Sequence, residues 1–192
     1  IKPVFLLSKL SFKKHKIICW IHGIEVWGRE YNSVKNYLRK VDGFLSDSSN
    51  TVETMIKKNF SKENFKVVNP MSSLIDETTK PNYKKNKVFS LLTVSRIDSS
   101  ENYKGHDLIL SALDLLINKK KLVKNIEWKI VGNGDGLENL IKLIYKYKLE
   151  SYIKILGSVS DKKLKNIFLE CSVFIMPSNF GLKENGFATG EG

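Results

Sequence analysis

The chain has 192 residues and a formal net charge of +12, from 32 lysine and arginine side chains against 20 aspartates and glutamates. With 42% hydrophobic residues, it is long and apolar enough for one large or two small domains with a packed core, which excludes a disordered tail. Only three of the 32 cations are arginine, and because sequence-reading nucleic-acid contacts depend on the arginine fork, the excess favours a general electrostatic surface. Anionic membranes and nucleic acid are both open as partners at this point.

The cysteines and the lack of long apolar runs predict in which cellular compartment the protein lies. Cys19 and Cys171 each lie in an apolar run, which favours two buried free thiols in a reducing compartment, with one disulfide as the alternative. No apolar stretch approaches the roughly 20 residues that a membrane-spanning helix needs, and no signal peptide opens the chain. These features predict a soluble or peripheral, cytoplasmic protein. Because the chain begins at Ile1 and stops within a glycine-rich segment, we expect a fragment.

The first part of the chain alternates strand and helix patterns. Strands are predicted at residues 16–21, 43–46 and 65–68, and helices at 32–41 and 51–59. Asn50 is the predicted cap of the second helix, because Glu53 follows three residues later, as in a capping box. Residues 69–87 contain Pro70 and Pro81 and a polar stretch without periodicity, which predicts an interdomain linker.

The alternation resumes after the linker. Strands are predicted at residues 88–94, 126–131, 152–156 and 173–176, and helices at 106–121, 137–149 and 161–170. Strands separated by helices of 10 to 16 residues need crossover connections, which predicts an α/β fold with a parallel, Rossmann-like sheet. Ligands of such sheets bind beyond the carboxyl ends of the strands. The loops that follow predicted strands are 22–29, 95–105, 132–136, 157–160 and 177–192.

Several residues in these loops are candidates for chemistry. Arg96 and Lys104 flank the loop before a helix, where two cations and a helix N-terminus favour a diphosphate, although both also fit ordinary solvated cations. Residues 132–136 either let backbone approach a ligand or simply form a tight turn, and they lack the full dinucleotide fingerprint. His22 ends a strand, where a structural role is the commoner one. Glu191 also fits an ordinary acidic loop, and the histidines and cysteines show no metal-ligand spacing.

Five motifs in the second half carry a resemblance to a known family. They are LLTVSRID with YKGHDLI, WKIVGNG, ILGSVSDKKL, CSVFIMPS and the final GEG. In order and spacing they resemble the donor half of the retaining GT-B glycosyltransferases called group 1 or family 4. HGIEVW, which starts at His22, and VDGFLSDSSNT, which starts at Val41, resemble the end of the acceptor half of the same family.

The resemblance implies a GT-B fold of two Rossmann-like domains with parallel sheets, both incomplete in this chain. Residues 1–68 would be the end of the acceptor-side domain, 69–87 the linker and 88–192 the donor-binding domain. The implied reaction moves a sugar from a nucleotide diphosphate donor to an acceptor hydroxyl with retention of configuration. No cofactor and no essential metal are expected. The implied setting is bacterial cell-surface polysaccharide or glycolipid synthesis, with a saccharide or lipid-linked acceptor.

The resemblance also implies roles for particular residues. Arg96 and Lys104 match the pair that neutralises the donor diphosphate, His22 matches the residue facing the transferred sugar, and Glu191 matches the first acid of the E-x7-E motif. The implied donor-binding residues are Ser95, Gly105, Gly132, Gly157, Ser158, Val159, Pro177 and Ser178. Of these, residues 157–159 match the loop that borders the nucleotide base.

The positive charge is distributed unevenly along the chain. Residues 1–68 hold 13 cations and 6 anions, a net +7, whereas residues 88–192 hold 15 and 12, a net +3. The excess on the acceptor side favours an anionic surface at the inner face of the cell membrane. Alternatives are a GT-B-fold nucleotide-sugar epimerase and a basic nucleic-acid-binding module. Nucleic acid is disfavoured as a partner because the cations are scattered instead of clustered with aromatic residues.

Overall fold

A computed structural model describes residues 16–70, 88–119 and 125–179, and the backbone of two short strands, Gly181–Leu182 and Ala188–Thr189. These two strands pair antiparallel, in a segment expected to be a loop. The chain divides into two compact units. Unit 1 takes in the described residues up to 70 and the two short strands, and unit 2 takes in 88–119 and 125–179. Most of the predicted linker lies outside the described residues, and the domain boundaries stay a prediction.

Unit 1 is built on a three-stranded parallel sheet in the order β1-β2-β3. One face buries Ile21 and Phe44 against Val26, Leu38 and Met55 of the helices, which explains the apolar spacing of these segments. Its elements are β1 Ile18–Ile21, α1 Ile24–Trp27, α2 Tyr31–Leu38, β2 Gly43–Ser46, α3 Ser49–Lys57 and β3 Phe65–Val67.

Two details of unit 1 differ from the sequence-based expectation. The short helix α1 occupies a segment that was predicted to be a loop. The N-cap of α3 is Ser48, and the predicted cap, Asn50, is wrong because it lies inside the helix. Ser48 has the extended backbone that a cap requires, and its hydroxyl accepts a hydrogen bond from the backbone N–H of Thr51 at 3.3 Å. A polar residue two positions earlier in the chain therefore caps the helix.

Unit 2 is built on a four-stranded sheet in the order β6-β5-β4-β7, and every pair of neighbours is parallel. The predicted parallel α/β fold is confirmed. The central strands are apolar along most of their length because helices cover both faces of such a sheet. Its elements are β4 Phe89–Val94, α4 His106–Asp114, β5 Ile126–Val131, α5 Leu137–Lys146, β6 Ile153–Gly157, α6 Asp161–Glu170 and β7 Val173–Phe174.

Helix ends account for most of the differences in unit 2. The α-helical geometry of α4 stops at Asp114 and continues as one π-helical turn over Leu115–Lys119, whereas the pattern predicted helix to residue 121. Helix α5 ends at Lys146, three residues before the predicted end, because Lys148 adopts a left-handed backbone with φ of 55°. The predicted strand 126–131 and the predicted helix 161–170 are confirmed.

A buried hydroxyl joins three elements beneath the carboxyl edge of this sheet. The fully buried Trp128 on β5 donates from Nε1 to Oγ1 of Thr93 on β4 at 2.9 Å. The Thr93 hydroxyl in turn donates to the backbone carbonyl of Ile175, just after β7, at 2.8 Å. One side chain thus satisfies a buried indole and a part-buried carbonyl, and it holds the start of the loop after β7 against the central strand.

Two predictions concerned the state of the cysteines and the lack of a membrane-spanning helix. Cys19 and Cys171 are free thiols, as preferred from the sequence, but both are half-buried instead of buried. Burial raises the pKa of each thiol above its ordinary value. Within the described ranges, none of the helices combines the length and apolarity that crossing a membrane requires.

Candidate functional site

Three loops of unit 2 border an open cleft of about 390 Å³ at the carboxyl edge of its sheet. They follow β4, β5 and β6, which are neighbours in the sheet, so their loops emerge side by side. The cleft is lined by five residues that the sequence singled out, namely Ser95, Arg96, Gly132, Ser158 and Val159. Gly157 adjoins them, because its carbonyl accepts a hydrogen bond from the N–H of Gly132 at 3.0 Å.

Gly132 allows the loops after β4 and β5 to approach closely. Its φ is 144°, and a Cβ atom at this position would lie only 1.8 Å from the carbonyl oxygen of Ser95. The N–H of Ser95 donates to the carbonyl of Val131 at 3.0 Å, which continues the strand pairing into the loop. Gly157 also has a positive φ, of 64°, but nothing lies within 4 Å of a Cβ built there. Glycine is therefore needed for space at the first position and for backbone conformation alone at the second.

Asp135, which was not among the predicted site residues, ties the segment 132–136 to the segment after β4. Its carboxylate accepts hydrogen bonds from the N–H of Ser99 at 2.7 Å and from the Ser99 hydroxyl at 2.9 Å. These bonds lower the pKa of Asp135 below its ordinary value. The N–H of Gly136 donates to the carbonyl of Ile97 at 2.8 Å, which is a further hydrogen bond between these two segments. The segment is thus a tight strand-to-helix turn that also lines the cleft.

The predicted cations Arg96 and Lys104 both contact Glu101, but only Arg96 is among the residues that line the cleft. Lys104 ends a 3-10 turn, Ser99–Lys104, and is only 8% exposed. The alternative of a solvated cation is therefore wrong for Lys104. Arg96 has a side chain 69% exposed, so a solvated role fits it better than it fits Lys104.

Glu101 lies between the two cations, which the sequence-based prediction did not include. One carboxylate oxygen accepts a short hydrogen bond from Arg96 Nη2, and the other lies 3.9 Å from Lys104 Nζ. The carboxylate of Asp98 lies 3.9 Å from Arg96 Nη1 on the other side. The i,i+3 spacing of Glu101 and Lys104 within one turn is the signal that identifies this contact in the sequence.

The loop after β7 packs on the start of α4. Gly105 has φ of 78°, and a Cβ there would lie 2.4 Å from the carbonyl oxygen of Pro177. The N–H of Asn179 donates to the carbonyl of Tyr103 at 2.8 Å. Among the described residues, the buried hydroxyl of Ser178 finds no hydrogen-bond partner. Three of the predicted donor-binding residues therefore lie close together, namely Gly105, Pro177 and Ser178.

His106, the first residue of α4, supports the floor of the cleft. Its Nε2 lies 3.1 Å from the hydroxyl of Ser95, so this ring links α4 to the loop after β4. Burial is the main reason that the pKa of His106 lies below its ordinary value, and the nearby Lys104 lowers it further while Asp107 raises it. The ring is therefore neutral near pH 7, and Ser95 is held by an uncharged contact.

In unit 1, His22 forms a polar cluster with two neighbours. Its Nδ1 lies 2.6 Å from Asp47 Oδ2, and Asp47 also accepts a short hydrogen bond from Trp20 Nε1. The bond from Trp20 is the main cause of a lowered pKa at Asp47, and the His22 contact adds to it. Because Ile21 of β1 pairs with Ser46 of β2, the residues that follow each of them meet at the carboxyl edge. The side chain of His22 is 68% exposed, and so it is open to a ligand.

Two further expectations concern an acid and a metal. Glu191 lies outside the described residues, and its assignment stays a prediction. Across the described ranges, no three His, Cys, Asp or Glu side chains group closely enough to hold a metal ion.

Sequence and structure comparisons relate this fold and cleft to known proteins. Two solved structures share the fold, which is that of the GT-B glycosyltransferases. The apo form of the lipopolysaccharide outer core galactosyltransferase WaaB has a TM-score of 0.70 at 17% identity, over 92% of this chain and 48% of that chain. The Anabaena protein Alr3699/HepE, in complex with UDP and glucose, has a TM-score of 0.66 at 16% identity, over 92% and 50%.

The family follows from the sequence itself. Residues 75–189 match the family described as Glycosyl transferases group 1, and the chain belongs to this family. A curated relative from Streptococcus agalactiae, the UDP-N-acetylglucosamine--peptide N-acetylglucosaminyltransferase GtfA subunit, is 25% identical over 163 residues. The match covers 82% of this chain and 30% of that protein. The chain therefore spans about half the length, or less, of these relatives.

Proposed function

We propose that the protein transfers a sugar from a nucleotide diphosphate donor to an acceptor hydroxyl with retention of configuration, and that unit 2 binds the donor. The observation that carries this proposal is the cleft at the carboxyl edge of the unit 2 sheet, where Ser95, Arg96, Gly132, Ser158 and Val159 meet. All of these residues lie within the segment that matches the glycosyltransferase family.

Arg96 and Lys104 are the proposed electrostatic groups of the reaction. As the bond between the sugar and the diphosphate breaks, negative charge develops on the leaving phosphate, and positioned cations stabilise this charge. Lys104 is well suited because it is buried, and fixed charges act more strongly where water is excluded. With two cations in this role, the proposed reaction needs no metal ion. The loop at Ser158 and Val159 is proposed to border the nucleotide base.

Retention is proposed to follow from attack on the face from which the diphosphate departs. The acceptor oxygen forms a bond to the anomeric carbon as the bond from that carbon to the phosphate oxygen breaks, and the acceptor proton passes to the departing phosphate. This route needs no carboxylate nucleophile. His22 and Glu191 are proposed to contact the transferred sugar, and the contact of His22 Nδ1 with Asp47 leaves Nε2 available for a sugar hydroxyl.

The acceptor is proposed to be a saccharide or lipid-linked glycan of the bacterial cell surface. WaaB is named for the lipopolysaccharide outer core, which supports this class of acceptor. We further propose a cytoplasmic protein that associates with the inner face of the cell membrane, because residues 1–68 carry a net charge of +7, from 13 cations and 6 anions. Sedimentation with vesicles tests this part, and binding that does not depend on anionic lipid contradicts it.

Calorimetric binding of UDP tests the donor site directly. UDP is the nucleotide bound in the HepE structure, which makes it the first probe. We expect Arg96→Ala and Lys104→Ala each to weaken UDP binding by about 1.5–3 kcal/mol, as for the loss of a hydrogen bond to a charged group. Lys142→Ala is a matched control, because it removes one exposed lysine from α5. Unchanged affinity in both site variants would contradict the assignment.

Product analysis then separates transfer from epimerisation, the alternative activity of a GT-B fold. A UDP-sugar that raises the thermal midpoint of the protein is incubated with a saccharide acceptor, and the products are followed by NMR. A glycoside with the anomeric configuration of the donor supports a retaining transferase. An inverted glycoside contradicts retention, and an epimerised sugar without any glycoside supports the epimerase.

A further inference from the structure

Among the described residues, two acids that contact the cation pair of unit 2 balance its charge. Arg96 and Lys104 contribute two positive charges, and Asp98 and Glu101, which lie within 4 Å of them, contribute two negative ones. A diphosphate that arrives at this cluster therefore meets a neutral group of side chains, and it gains the full attraction of the cations only when an acid moves away.

Glu101 is the acid that stands between the two cations. Its side chain is 12% exposed, so most of its hydration is already lost. Within the described part of the chain, its buried Oε2 has no hydrogen-bond partner, because the 3.9 Å to Lys104 Nζ is too long for a hydrogen bond. A buried carboxylate oxygen without a hydrogen bond is held by charge alone, which makes the contact with Lys104 weak for a buried pair.

The surroundings leave room for this carboxylate to move. Glu101 lines a cavity of about 340 Å³ that shares no lining residue with the donor cleft. The polar residues His106 and Asn139 and the acids Asp98 and Asp107 also line this cavity. Arg96, in contrast, lines the donor cleft, and its side chain is 69% exposed. Rotation of Glu101 into its cavity would break its contact with Arg96 and leave this guanidinium, which lines the donor cleft, open to an anion.

We propose that Glu101 is a counter-ion of the Arg96 and Lys104 pair in the unliganded protein, and that the phosphates of the donor displace it from Arg96. This inference rests on the proposed donor site. A diphosphate brings more charge than the single carboxylate that it replaces, whereas an uncharged nucleoside brings none, so the exchange selects for phosphorylated ligands. After transfer, return of the Glu101 carboxylate to Arg96 assists release of the nucleotide product.

Glu101→Gln tests the exchange, because the amide keeps the shape and the hydrogen-bonding oxygen but removes the charge. Binding of inorganic pyrophosphate, UDP and uridine is measured by calorimetry on the whole chain. We expect pyrophosphate and UDP to bind about two- to fivefold more tightly to Glu101→Gln, the gain that corresponds to a partly exposed ion pair. We expect the affinity for uridine to be unchanged, which a merely structural effect of the substitution would not produce.

Glu150→Gln is the matched control, since Glu150 is exposed and lies at the opposite, amino end of β6, so this variant changes the net charge equally. If Glu101→Gln unfolds at a lower temperature, Glu101→Asp replaces it as the variant. Its charge is intact but its side chain is shorter, and we expect it to give a smaller gain in pyrophosphate affinity.

The outcomes separate this inference from the proposed function. If the wild-type protein binds pyrophosphate and Glu101→Gln binds it equally or more weakly, the exchange is wrong and the donor site stands. If neither protein binds pyrophosphate or UDP, the proposed donor site is wrong, and the proposed displacement of Glu101 by phosphate is wrong as well. If only Glu101→Gln binds them, both proposals are supported.

Discussion

Substitution of Gly132 by alanine distinguishes a glycine needed for space from one needed only for its backbone conformation. Gly132 and Gly157 follow neighbouring strands and both have positive φ, of 144° and 64°. A Cβ at residue 132 would lie 1.8 Å from the carbonyl oxygen of Ser95, whereas a Cβ at residue 157 would have nothing within 4 Å. Gly157→Ala is therefore a matched control for Gly132→Ala.

The expected magnitudes follow from these surroundings. An alanine with a left-handed backbone destabilises the folded state by about 1–2 kcal/mol. This is the whole loss in the free energy of unfolding that we expect for Gly157→Ala. At residue 132 the backbone strain is about 1–3 kcal/mol, and the chain must also shift, because no Cβ tolerates a backbone oxygen at 1.8 Å. The shift weakens two hydrogen bonds, from Ser95 N–H to Val131 and from Gly132 N–H to Gly157, at about 1 kcal/mol each. For Gly132→Ala, the strain and the two weakened hydrogen bonds together lower the free energy of unfolding by about 3–5 kcal/mol.

Urea unfolding followed by circular dichroism measures both losses, and UDP calorimetry on the folded protein reports on the cleft. We expect Gly132→Ala to lose UDP affinity, because the shift displaces Ser95 and Arg96 from their places in the cleft. Equal losses of stability in the two variants would refute the close approach as the reason for glycine at residue 132.

Two further predictions concern the residues beneath the cleft. Thr93→Val leaves the indole N–H of Trp128 and the carbonyl of Ile175 without their buried partner, so we expect unfolding by urea to show a loss of about 2–4 kcal/mol. Thr93→Ser keeps the hydroxyl and should lose much less, and similar losses in the two variants would contradict the role of the hydroxyl. Because the pKa of His106 is lowered in the folded protein, the unfolded chain takes up its proton first as the pH falls below the ordinary value of 6.5. We expect the free energy of unfolding to decrease there in the wild type and to decrease less in His106→Gln, and identical pH profiles would show that this ring does not contribute.

Much of the fold follows from patterns that repeat along the chain. Strand β4 is a mostly apolar run of the length of a buried strand, and strand 126–131 and helix 161–170 have their predicted bounds. Helix ends were less predictable. The cap at Ser48 in place of Asn50 and the π-helical turn Leu115–Lys119 depend on the backbone angles of single residues, which apolar spacing does not encode.

The contacts of the charged side chains were the least predictable part of the site. Asp47 approaches His22 from 25 residues away, and Asp135 approaches Ser99 from 36 residues away. Such separations exceed any local pattern, and the contact exists only because parallel pairing brings the ends of neighbouring strands together. The contact of Glu101 with Arg96 spans five residues but requires the 3-10 turn Ser99–Lys104, which was not predicted.

The sequence by itself determined the alternating α/β organisation, the parallel sheets, the family and the set of loops that line the cleft. It could do so because a residue that follows a strand of a parallel sheet lies at the carboxyl edge whatever the details of packing. The balance of charge within the cleft was decided only by the tertiary structure. Two cations separated in the sequence by seven residues predict an open diphosphate site, but the turn between them folds Glu101 back onto both. Net attraction depends on distances of a few ångströms, and only the folded chain sets those distances.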